Sequence, residues 1–338
     1  MTLSVSPFDA QHLEGAALLL AQRHARDRAR EPALPAMFES ADATRPLLDR
    51  DLHRPGAAGV VALRDGEPAG FLLATAMLPR PEHFLAQFFP PRSMLIAYHG
   101  HALASGEDAS LYRELYAGLA GGWVERGFFD HFLNVPAQDA EGREAWDSLG
   151  FGRDTTCAMR EVAQPVVPSG TTTGVEVHQA GPEDVEVIEG LADALWRHHV
   201  GSPIFAPHLR ETDQHMREMT VGLLADPSNA HFVAYDGDEP LGMNTFMPPS
   251  FLSPMETPEA CVYLFQGIVY AEARGGGVGK TLLAHAMDWA NQEGHRWCAL
   301  HFAAPNPSGA AFWQANGFRP FEHRLRRHID ERIVWAGA

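Results

Sequence analysis

The chain has 338 residues, 45% of them hydrophobic, enough for two domains that each bury a core. Its formal net charge of −17 argues against a nucleic-acid partner, which would need a clustered basic footprint, and favours steering of cationic amines. Three cysteines and 18 scattered histidines without ligand spacing argue against a metal and suit a reducing cytoplasm.

No apolar run is long enough to span a bilayer, and Met1–Ala10 lacks the basic start and apolar core of a secretory signal. No membrane partner is expected. Along the chain, Arg64–Gly66 separates two apolar runs and predicts a β-hairpin. A helix is expected to end near Trp123–Gly127, and Ala145–Phe151 follows a further strand. The stretch 163–174, with Pro165, Pro168, Gly170, Gly174 and a threonine run, has linker composition. After it, Val175–Ala180 reads as a strand and Gly181–Pro182 as a helix start. The earlier signals then recur. Glu67–Gly70 matches Glu239–Gly242, each behind a charged turn, and Ala145–Phe151 matches Phe312–Phe318.

The strongest local signal is Val262–Leu283, an apolar β-prone run that enters glycines and then a helix pattern. Glycine lets backbone N–H groups converge, and the first N–H groups of a helix have no intrahelical partner. Strand, glycine loop and helix together make an anion site, most often for phosphate. A P-loop would require glycine at position 274, where Arg274 stands, and a following strand that ends in an acid. Trp297–Phe302 is instead followed by Ala303, Ala304 and Pro305.

Arg274, Gly277 and Gly279 fit the pattern R-x-x-G-x-G, and Asn306, Gly309, Phe312, Trp313, Gly317 and Phe318 fit N-x-x-[AG]-x-x-F-[YW]-x-x-x-G-F. The two motifs in this order resemble the signatures of the GNAT N-acetyltransferase superfamily. The resemblance covers about 160 residues directly, the size of one domain. With the repeat, it implies an α+β chain of two tandem GNAT-like domains, 1–162 and 175–338. Each would be a mostly antiparallel sheet with a central splayed strand pair and helices on both faces.

The resemblance further implies acetyl-CoA as co-substrate and a small-molecule amine as acceptor. The pyrophosphate would lie on Arg274, Gly275, Gly276, Gly277, Val278, Gly279, Lys280 and Thr281. The pantetheine arm and thioester would face Gly267, Ile268 and Val269. Asn306 would touch the cofactor or cap the last helix, and Trp313 would pack beside the arm. His301 occupies the position of the catalytic base of related ribosomal-protein alanine acetyltransferases, and an imidazole titrating near about 6.5 is competent for that work. Trp313 stands where those enzymes have a tyrosine acid, and indole has no useful proton to give. Tyr263, Tyr270 or water are left for that part. The residues 195–208 match the variable helices that select the acceptor.

The first copy departs at the same positions. Glu107, Asp108, Ser110 and Tyr112 replace Arg274, Gly275, Gly277 and Gly279, and Asn134 replaces His301. It reads as a degenerate domain without CoA, supplying one wall of the substrate cleft. A CoA-binding sensor without turnover, or an enzyme acting on protein termini, are the alternative readings.

Overall fold

The computed structural model describes residues 2–167 and 174–335, so half of the expected linker, 168–173, lies outside the described residues. The first half runs β1 (Leu3–Pro7), α1 (Leu13–Arg30), α2 (Ala41–Leu52), β2 (Ala58–Arg64), β3 (Glu67–Met77), β4 (Ser93–Ile96), β5 (His101–Leu103), α3 (Leu111–Glu125), β6 (Asp130–Pro136), α4 (Ala140–Asp147) and β7 (Gly152–Glu161). The second half repeats this order. It runs β8 (Val175–Gln179), α5 (Val185–Val200), α6 (Asp213–Ala225), β9 (Ala230–Asp236), β10 (Glu239–Met247), β11 (Cys261–Val269), α7 (Val278–Gln292), β12 (Trp297–Ala303), α8 (Pro307–Ala315) and β13 (Arg319–His328). Both expected hairpins form. In the first, Asp65 and Gly66 take φ of 50° and 92°, the left-handed pair that a tight two-residue turn needs.

The strands join into one sheet ordered β1-β2-β3-β4-β6-β13-β7-β12-β11-β10-β9-β8, with β5 on the flank of β3. Only β4–β6 and β11–β12 pair in parallel among the described strands, so the sheet is mostly antiparallel. The two halves exchange their last strands. β13 lies against β6 of the first half, and β7 lies against β12 of the second. The two exchanged strands also pair with each other.

Central strands such as β3, β6 and β9 are buried along most of their length and feed cores on both faces. Trp123, Leu133 and Trp146 pack with α3, and Leu20, Leu48 and Phe71 pack with α1 and α2. Val262, Leu264, Leu282 and Leu300 pack with α7, whereas Ile188, Leu191 and Ile268 pack with α5. A further cluster spans the halves: Leu34, Cys157 and Met159 from the first meet Tyr263, Ala299 and Phe321 from the second. The sheet's central floor is therefore shared.

Candidate acyl-transfer site

Parallel pairing of β11 with β12 stops at Leu264 and Leu300. Beyond that point β11 stays with β10 as far as Val269, while β12 stays with β7 as far as Ala303. The strands diverge because each follows its outer neighbour. Phe265 is the extra residue of a bulge, since Thr245 pairs with Gln266 and Phe246 with Leu264, and a bulge bends its strand. At Gly267 an added Cβ would lie 3.1 Å from both the Trp313 ring and Asn244 Oδ1. Glycine is needed there for close approach, and it sets Trp313 on the lip of the splay. Ile268 turns to the α5 core, and Val269 packs towards α7.

Gly275 and Gly277 take φ of 82° and 94°, a region that side-chain-bearing residues rarely adopt. Gly277 caps α7, and its carbonyl accepts from Lys280 N–H and Thr281 N–H, both at 3.0 Å. Among the described residues, none accepts from the N–H groups of Gly275, Gly276, Gly277, Val278 or Gly279. Arg274 Nε donates to Val269 C=O at 2.9 Å and pins the loop to the strand end. A Cβ on Gly279 would come 3.2 Å from the Phe312 ring. These unpaired donors, at the positive end of α7, could hold phosphate oxygens.

Asn306 is 7% exposed, and its Oδ1 accepts from Gly309 N–H at 3.0 Å and from the Ser308 hydroxyl at 2.9 Å. Asn306 thus forms the helix cap expected of it. His198 of α5 lies near both Asn306 and Arg274. The expected acceptor segment thus borders the glycine loop. Trp196 stacks on His208 at 5.9 Å, and Phe88 of the first half sits 6.0 Å from Trp196. Gln87 accepts from Leu209 N–H at 3.0 Å, so the first half holds this segment in place.

His301 faces the shared floor on β12. Its Nδ1 lies 2.7 Å from Tyr263 Oη and its Nε2 4.0 Å from Glu322 Oε1. Burial, aided by the Arg324 charge, pushes the imidazole down to about 3. That differs from the titration near neutrality expected of an ordinary histidine: three-quarters of the side chain is buried, and no adjacent charge offsets the lost hydration. Burial likewise keeps the Tyr263 hydroxyl protonated, well above its ordinary range. Glu322 accepts from Asn134 Nδ2 at 2.8 Å. The sequence reading missed Glu322; no local spacing joins it to His301, because the strand order brings β13 there.

The first half closes the equivalent space. Its strand breaks into β4 and β5 around Gly100, and His101 lies in the gap with Nε2 2.9 Å from Asn134 C=O and Nδ1 3.0 Å from Tyr112 Oη. Glu107 turns to Arg64 in a bidentate pair at 2.6 and 2.7 Å. Asp108 Oδ1 caps Ser110 N–H at 2.7 Å. Protein groups fill what glycines leave open in the second half.

Residues 190–318 match the family model described as Acetyltransferase (GNAT) family. A GCN5-related N-acetyltransferase from Sphaerobacter thermophilus is similar in structure (TM-score 0.59, 15% identity, 96% of this chain and 95% of that one). A tandem GNAT protein from the clavulanic acid biosynthesis pathway gives 0.51 at 15% identity, covering 97% and 98%. A glucosamine N-acetyltransferase region of a fungal multi-domain β-N-acetylglucosaminidase gives 0.57 at 14%, covering 96% of this chain and 38% of that one. Among curated proteins no sequence match is found. The family match covers residues 190–318 of the second half, and the likeness to the tandem GNAT protein shows that the whole chain has that two-domain fold.

Proposed function

We propose that the protein transfers the acetyl group of acetyl-CoA to a small-molecule amine by direct attack, at one site in the second half. The observation that carries this reading is the splay of β11 from β12, which ends in a loop of unpaired N–H donors at the start of α7. The residues fit the co-substrate. Gly275 to Gly279 would receive pyrophosphate oxygens, with Lys280 and Thr281 behind them. Gly267 to Val269 would offer main chain to the pantetheine arm, and the half-buried Trp313 would cover it. His301 is the proton acceptor of the reaction. In the first half Glu107 and Asp108 place carboxylates at the loop and His101 fills the gap, so one site per chain is expected. Its part is to hold the acceptor segment through Gln87 and to complete the floor through Asn134.

Turnover of acetyl-CoA against amino acids, aminoglycosides, polyamines and arylalkylamines tests the reading. Acetylation of at least one amine is expected, and His301→Ala should lower its rate on the order of a hundredfold while CoA affinity is unchanged. CoA binding with no turnover of any amine would favour a sensor. A His301→Ala rate within a few-fold of wild type would remove His301 from the chemistry.

A further inference from the structure

The acceptor's nitrogen must meet the thioester at the splay, so the walls beside the splay receive the rest of that molecule. One wall comes from the first half. The connection between β3 and β4 carries a short turn, Phe84–Gln87, with Phe88 after it. The buried Gln87 donates to the Thr212 hydroxyl and accepts from Leu209 N–H, which fixes this turn against the segment between α5 and α6. Its phenylalanines then join rings of the second half in one row. Trp196 of α5 meets Phe88 at 6.0 Å, Phe88 meets Phe84 at 6.2 Å, and Phe84 meets Phe251 at 5.9 Å. Phe251, from the connection between β10 and β11, stacks on Phe265 at 5.4 Å with 10° between the planes.

The row ends at the splay. Phe265 is the bulge residue of β11, one position past the last parallel pair with β12. It packs on the same side of the sheet as Tyr263 and Ala299. His301, two residues beyond Ala299 on β12, stands on that side as well, with 26% of its side chain exposed. Nor is the row a closed core: Phe88 and Phe251 are 38% and 37% exposed, and Phe84 and Phe265 are half-buried. Contiguous rings left partly in water beside a reaction centre mark a surface that a ligand covers. The charges favour a ligand without an acid. Arg324, whose charge reaches His301, is already taken by Asp154, with Nε at 2.9 Å and Nη2 at 2.7 Å. The net charge of −17 attracts an ammonium and repels a carboxylate.

We propose that this row is the acceptor subsite and that the acceptor is an arylalkylamine, a primary amine joined by a short alkyl chain to an aromatic ring, with no carboxylate beside the nitrogen. The inference rests on the acetyltransferase reading and names the acceptor class for that site. Adjacent strands lie about 5 Å apart, so a chain of two or three carbons spans from a nitrogen beside His301 to a ring on Phe265 and Phe251. There the ring stacks or makes edge contacts with the row, as aromatic pairs prefer. An amino acid would bring a carboxylate with no cation to receive it. Polyamines and aminoglycosides would bury polar groups against hydrocarbon without partners. The first half takes part in acceptor choice through Phe84 and Phe88.

Steady-state acetylation by the full-length protein at saturating acetyl-CoA tests the subsite. Calorimetry of 2-phenylethylamine into the CoA-loaded protein adds a readout free of chemistry. The kcat/KM for 2-phenylethylamine should exceed those for butylamine, phenylalanine, spermidine and kanamycin by about tenfold or more. Phe88→Leu and Phe251→Leu keep apolar bulk at exposed positions and remove the ring. Each should lower the ratio of kcat/KM for 2-phenylethylamine to that for butylamine by about threefold or more, through KM, with melting temperature and CoA affinity unchanged. Preference for phenylalanine, spermidine or kanamycin, or a ratio that survives both variants, overturns the aryl subsite and leaves the acetyltransferase reading in place. 2-Phenylethylamine that binds the CoA-loaded protein and loses affinity in Phe251→Leu, while no amine is acetylated, overturns the acetyltransferase reading and keeps the subsite.

Discussion

Buried histidines tie single residues to the stability of the whole chain. His24, His101, His131 and His323 are each under 5% exposed, and with His301 they are held below the ordinary imidazole value. Burial is the first cause in every case, and it brings His24, His131 and His323 to about 4. Between those values and the unfolded value of about 6.5, the unfolded chain binds more protons than the native one. Stability is thus fully present above about pH 6.5 and is lost as pH falls towards 4. The buried carboxyls Asp27, Glu256 and Glu322 are raised and act in the opposite sense, but they are fewer. Thermal melts should show a loss of about 5 °C or more from pH 7.5 to pH 5. A flat or rising melting temperature would mean these rings meet water in solution. Which histidines are buried was not legible in the sequence. His301 stood out through its distance from Asn306 and Trp313, yet nothing local showed that its pKa would fall or that Glu322 would face it.

Elements fared differently according to how local their causes are. The hairpin at Asp65–Gly66 and the loop at Gly275–Gly277 follow from positive φ at adjacent residues, and glycine announces such positions in the sequence. The Asn306 cap is equally local, from its side chain to Gly309 N–H. The destination of β7 and β13 is not local. Both are strands of ten residues that follow similar helices, so nothing in the pattern says which sheet each completes. The exchange makes each half incomplete alone: β6 pairs with β13, and β12 with β7. Expression of residues 174–338 alone should give an aggregating or partly folded product without CoA affinity, and co-expression with residues 1–167 should restore both solubility and binding. A soluble, CoA-binding second half made alone would show that β7 is dispensable.

At the scale of the molecule, the proposed function implies a division of labour. The two halves keep the same order of elements, but in the first the space equivalent to the proposed cofactor site is filled. His101 occupies the gap between strands and Glu107 is taken up by Arg64, whereas Gly267, Gly275 and Gly277 keep the other site open. The loss of the glycine motif from the first copy was visible in the sequence; that His101 would fill the gap was not, because it requires the strand to break at Gly100. The first half still reaches the proposed chemistry through Asn134 and Gln87. The central claim is one acetyl-CoA site per chain, on the loop that begins α7. Calorimetric titration of CoA into the full-length protein tests it most directly, with Gly277→Asp as the control that places a carboxylate and a strained residue in the loop. The account expects one site per chain in wild type and none in the folded Gly277→Asp protein. Two equivalent sites, or affinity unchanged by Gly277→Asp, would contradict it.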